Sequence, residues 1–125
     1  MDSVSDRRIN EPLENGLVLR RDDGVVWTNC PHLVVHHSPS GFEYGYMGSG
    51  PADLALNVVE AILHRIGYAG ERMQCFDGAC FSEAWRLHQR FKQRFIAPLQ
   101  QEEDYRIPYE TMKGWILEHK GEVAQ

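Results

Sequence analysis

The residues best suited to chemistry lie in one stretch, FEYGYMGSGPAD, residues 42–53. A helix that begins at Pro51 presents backbone N–H groups without intrahelical partners, together with the positive end of the helix dipole. Glycine beside such a start lets a ligand approach the backbone closely. Gly48, Ser49, Gly50 and the amides after Pro51 are therefore candidates to hold phosphate. Tyr44 and Tyr46 offer aromatic faces on which a base or sugar ring could stack. The stretch is not a Walker loop, since no GK[ST] follows, and it lacks the spacing of GxGxxG. The same composition also suits a tight turn in which glycine serves only the backbone.

Three further groups invite a reading. Cys30-Pro31-His32 with Cys75 and Cys80 would supply four zinc ligands. The spacing fits no common ribbon or finger, and burial accounts equally well for each thiol, so no metal is expected. His36 and His37 sit side by side in a segment that reads as a strand and so face opposite ways. Arg86, Arg90 and Arg94 recur every four residues and line one side of a helix. One of them could neutralise an anionic ligand, although a solvated helix face explains the same spacing. No serine or cysteine stands in a nucleophile context, and none of the 18 acidic residues stands out as half of a catalytic pair. The expectation is a protein that is not an enzyme and needs no cofactor.

The elements that position these residues follow from pattern. Residues 16–21 (GLVLRR) and 25–28 read as strands joined by Asp22-Asp23-Gly24, a strong hairpin signal. Residues 32–37 (HLVVHH) read as a third strand, 38–41 as a turn, and 42–47 (FEYGYM) as a half-buried strand with aromatic alternation. A helix then starts after Gly48, capped by Ser49 or Gly50. Its core face is Ala55, Val58, Val59, Ile62 and Ile66. Leu54, Leu56 and Leu63 widen that face to burial on two sides, Asn57, Glu60 and His64 form the wet side, and Gly67 ends the helix. Residues 68–80 read as a loop. Ser82 caps a second helix with Ala84, Leu87, His88, Phe91 and Phe95 inward, ending at Pro98. After a polar connection at 100–104, a third helix starts near Pro108, carries Met112, Trp115, Ile116 and His119 on one side, and stops at Gly121. The sum is one α+β domain, a small antiparallel sheet with about three packed helices. Residues 1–10 and 121–125 are expected to be flexible ends.

Composition narrows the setting. A chain of 125 residues fits one domain and can bury a core without staples. No apolar run approaches the roughly 20 residues of a membrane span, and the N-terminus has no apolar signal region. Three cysteines, an odd number, suit a reducing cytoplasm better than a secreted disulfide framework. A net charge of −5 argues against general nucleic-acid binding. Residues 100–104 are acidic, whereas 82–97 carry the arginine ladder.

The string GFEYGYMGSGPADLAL, residues 41–56, resembles the signature of a family of small domains of unknown function common in bacteria and their phages, which runs approximately GFEWGYGGSGPADLALAIL. Tyr44 stands for the usual tryptophan and Met47 for a glycine. FKQRFI at 91–96 is similar to a second block of that family, and Trp115 to a late tryptophan, so the likeness covers residues 34–118. The resemblance implies an α+β fold and a phage setting, in which domains of this size often counter host defence. By that analogy the expected function is capture and sequestration of a small phosphorylated ligand, a cyclic or ADP-ribose-type nucleotide signal, in the host cytoplasm. Tyr44, Tyr46, Gly48, Ser49, Gly50, Arg86, Arg90 and Arg94 would bind it. The alternative is a protein–protein inhibitor of a defence or regulatory protein acting through an acidic surface. A homo-oligomer is left open by either reading.

Overall fold

A computed structural model describes residues 7–36 and 41–121. His37, residues 38–40 of the expected turn at 38–41 and the outermost parts of the two chain ends lie outside the described residues. The chain begins with a short 3-10 turn at Leu13–Asn15, then β1 (Leu17–Asp22) and β2 (Val25–Thr28). The two strands pair antiparallel with Asp22 opposite Val25. That register leaves Asp23 and Gly24 as a two-residue loop, with φ of 54° and 76°. Positive φ at both positions matches the twist of the flanking strands, so the Asp-Gly signal is realised as read.

β5 (Tyr105–Ile107) adds to the other edge of β1, giving the order β2-β1-β5. Residues 7–9, in the segment expected to be flexible, reach Thr28: the Ile9 amide donates to its carbonyl at 2.9 Å. β3 (Arg72–Gln74) and β4 (Ala79–Phe81) form a separate hairpin. Three helices complete the fold: α1 (Ser49–Arg65), α2 (Ser82–Phe91) and α3 (Tyr109–His119). A π-helical turn, Lys92–Ile96, extends α2. The architecture is therefore a small α+β domain. No helix among the described residues is long and apolar enough to cross a membrane.

α1 is the spine. Every residue from Gly50 to Leu63 is buried, and one apolar cluster joins its leucines and valines to Leu17, Leu19, Leu87, Phe91, Met112 and Ile116. Burial on two sides agrees with the widened apolar stripe. The wet side is a correction: Asn57 and Glu60 are as buried as the leucines, and only His64 is exposed. Their polar groups act as templates for neighbouring backbone. Asn57 accepts from the Leu33 and Val34 amides at 2.7 and 2.9 Å and donates to the Val34 carbonyl at 2.8 Å. Glu60 accepts from the Phe81 amide at 2.8 Å, and from His64 and Arg72. Asp53, one turn above Asn57, accepts from the His36 amide.

These bonds explain a second correction. Residues 32–36 do not form a ladder strand; only Val35 makes a bridge, to Asp77. The backbone groups of Leu33, Val34 and His36 bond side chains of α1 instead, which meets the same demand for partners. Residues 42–47 are not a strand either. Gly41 and Gly45 have φ of 118° and 90°, which turn the chain away from an extended path. The aromatic alternation arises because Phe42 and Tyr44 plug into the core. The expected loop at 68–80 contains β3 and the start of β4, and β5 follows the polar connection. Strands of three residues are too short to carry a period. α1 is capped by Gly48, and α2 starts at Ser82 with Phe81 as its cap.

Candidate functional site

The bend at 41–50 leads into the N-terminus of α1, and its shape depends on three glycines. Gly45 takes a left-handed φ, and its amide donates to the Ile96 carbonyl at 3.1 Å. A Cβ there would lie 2.6 Å from Gln101 Cγ and 3.0 Å from the Leu99 carbonyl oxygen. Only glycine lets the bend press on residues 99–101. The space a side chain would need at Gly48 is filled by the Tyr46 ring, and at Gly50 by Glu43, whose Cβ would stand 2.7 Å away. Gly50 is buried and Ser49 exposed. The glycine run thus serves close packing of the bend on the helix start.

Beneath the bend lies Arg21. Its guanidinium bonds both Glu43 oxygens at 2.6 and 3.2 Å, donates through Nε to the Gln101 carbonyl at 2.5 Å, and sits 5.0 Å from the centre of the Tyr44 ring. The Glu43 bond holds the Arg21 pKa above its usual value despite the opposing effect of burial. Tyr44 is fully buried; its hydroxyl donates to the Glu103 carbonyl at 2.7 Å, and its ring meets Tyr105 edge-on. Burial pushes the Tyr44 phenol up, with Arg21 pulling the other way. Tyr44 was expected to stack on a ligand; here its ring is core and already faces a cation. Tyr46 and Met47, by contrast, are 41% and 59% exposed. Glu102, Glu103 and Asp104 lie exposed on the connection against which the bend rests.

The arginine ladder is elsewhere. Arg86 bonds Glu83 and the His119 carbonyl, Arg90 lies over Trp115, and Arg94 over Phe95. Arg86 and Arg90 thus contact α3, and Arg94 its own neighbour in the π-helical turn. Two shallow cavities lie outside both groups. One of about 230 Å³ is lined by Ile9, Arg20, Asp22 and Trp27. The other, about 190 Å³, is lined by residues 32–35 with Asp77 and Gly78. Cys75 and Cys80 approach each other within the β3–β4 hairpin. No set of three or more His, Cys, Asp or Glu among the described residues is grouped to hold a metal ion.

Sequence reading passed over Arg21 and Glu43, yet a signal existed. Leu17, Leu19 and Arg21 share one face of β1 by the two-residue period. A charge on an apolar face implies a partner, and Glu43 in the bend is that partner.

The model of the family described as "Family of unknown function (DUF6166)" matches residues 13–83, more than half of the chain, and the chain belongs to that family. The match runs from the turn before β1 to the first residues of α2. It includes Arg21, the bend and all of α1, and ends before the arginine ladder. No curated protein and no solved structure matches the chain.

Proposed function

We propose that this member of the family is a binding domain that docks on a basic protein surface through the bend at 46–47 and the acidic connection at 102–104. The observation that carries the reading is the exposure of Tyr46 and Met47 on a bend held from below by the Arg21–Glu43 pair. Large apolar side chains on a rigid support are what an interface core uses, and acidic neighbours steer a cationic partner toward it. The net charge of −5 works in the same direction at longer range. In the setting that the resemblance implies, the partner would be a host defence or regulatory protein, and occlusion would inhibit it.

Capture of a phosphorylated nucleotide by the same bend has less support. Tyr44 is not exposed, Gly48 and Gly50 are packed against Tyr46 and Glu43, and Arg86 and Arg90 contact α3. Ser49 and Tyr46 remain at the surface as the groups a phosphate and a ring could use.

The test places a photo-crosslinking residue at Met47 in the full chain, with the same residue at Leu117 as control. Adducts with one basic protein from position 47 alone, lost at high salt and on reversing Glu102, Glu103 and Asp104 to lysine, are expected. Equal adducts from both positions, or no dependence on salt, would refute the reading. A nucleotide released on denaturing the purified protein would restore the ligand-capture reading.

A further inference from the structure

Cys75 and Cys80 flank the tip of the β3–β4 hairpin. Met73 pairs with Cys80, and the Cys75 amide donates to the Gly78 carbonyl at 2.9 Å. Both thiols are free, and their sulfurs stand 3.2 Å apart. A disulfide needs about 2.05 Å, so the sulfurs must approach by about 1.2 Å, a distance within reach of small rotations about the two Cα–Cβ bonds. The hairpin is a surface element. Phe76 at its tip is 71% exposed, and Arg72, Gln74 and Asp77 are exposed around it. The thiols therefore lie on the buried side of an element whose tip is open to solvent. Cys30 gives the contrast: like Cys80 it is fully buried, but its sulfur contacts the Pro31 carbonyl at 3.5 Å rather than a second thiol.

We infer that Cys75 and Cys80 form a reversible dithiol–disulfide site that exchanges with low-molecular-weight disulfides. Cys75, 6% exposed against 0% for Cys80, is the thiol that meets the reagent first. Its thiolate attacks one sulfur of the small disulfide. A mixed disulfide forms, the small S–S bond breaks, and one small thiolate leaves to take up a proton. Cys80 then gives up its proton and attacks the Cys75 sulfur. The mixed bond breaks and a second small thiol departs. Two protein thiols are oxidised and one small disulfide is reduced to two thiols, so electrons and protons balance. Burial and the hydrogen bond with Cys75 push the Cys80 thiol up to about 12. Cys80 therefore does not react first; it is placed to resolve the mixed disulfide because its sulfur stands 3.2 Å from that of Cys75. Oxidation links Cys75, the residue after β3, to Cys80 in β4, next in sequence to the exposed Phe76 and just ahead of α2. It confers redox sensitivity on a hairpin whose strands are three residues long.

The full native chain is equilibrated with oxidised and reduced glutathione at graded ratios, quenched in acid, unfolded, and its thiols counted. The expected result is a fall from three thiols to one, with peptide mapping that links Cys75 to Cys80, leaves Cys30 free and finds no retained glutathione. Excess reduced glutathione should return all three thiols. Cys80→Ala should accumulate a glutathione adduct on Cys75 in place of the internal bond. Three thiols at every ratio, a persistent adduct in the parent chain, or a bond that includes Cys30 would each overturn the inference. The decisive measurement is made on the parent chain, so it does not depend on a variant folding.

Discussion

Replacing Asn57 with alanine removes four hydrogen bonds from the middle of α1. Their losses are unequal. The Asp53 carbonyl, one turn earlier, keeps its helical partner. The Leu33 amide belongs to a residue that is 43% exposed, so water can replace the lost oxygen. The Val34 N–H and C=O are left without a partner in a buried setting. Each stranded group costs about 1–3 kcal/mol, which places the total at about 2–6 kcal/mol before any loss of packing. A domain of this size is stable by about 5–15 kcal/mol in all. Urea unfolding should show the loss: with a slope of about 2 kcal/mol per molar, a cost of about 4 kcal/mol lowers the midpoint by about 2 M. Hydrogen exchange should quicken most at Val34. A change below about 1 kcal/mol would mean that water or other contacts hold residues 33–34, and that Asn57 is not their template.

Other perturbations test the bend and the titrating groups. Gly50→Ala gains about 1 kcal/mol of helix propensity, but its Cβ meets Glu43 Cβ at 2.7 Å; we expect a net loss of about 1–2 kcal/mol in urea unfolding, and a gain would show that Glu43 moves aside freely. Arg21→Ala leaves the part-buried Glu43 without its cation; stability should fall by about 2–3 kcal/mol and amides at 42–46 should exchange faster, whereas an unchanged bend would remove Arg21 from its support. Burial, with the Arg8 charge adding to it, holds His32 below its ordinary value of 6.5. The unfolded chain binds that proton more readily, so stability should decline as pH falls below about 6.5, and His32→Gln should flatten this part of the profile. Glu83, held low chiefly by its bond from Arg86, contributes above its ordinary 4.5 and loses that contribution as pH falls further; Glu83→Gln should act only in this lower window.

The sequence by itself determined what depends on near neighbours. Asp23-Gly24 specified the hairpin because two positive φ angles are cheap only for such residues. The period of Ala55, Val58, Val59 and Ile62, widened by Leu54, Leu56 and Leu63, specified a helix buried on two sides. Pro108 and Pro98 marked where helices start and stop. Tertiary structure alone decided the fate of polar groups on those same elements. Asn57 and Glu60 lie opposite the apolar stripe, and by pattern belong to water. They are buried because residues 32–36 and Phe81 bring backbone groups that need partners, a demand that no local spacing reveals. The alternation at 42–47 could not separate a strand from a bend, since two positive-φ glycines leave the same inward side chains in place. At the bend, the spacing of the arginines could not show which cation packs beneath it. Arg86, Arg90 and Arg94 share a face by period, and Arg86 and Arg90 contact α3, while Arg21, about twenty residues before the bend in the chain, reaches Glu43. Helical spacing says which residues share a side; which neighbour that side meets is set by the packing of α1 against α2 and by the strand that carries Arg21 beneath the bend.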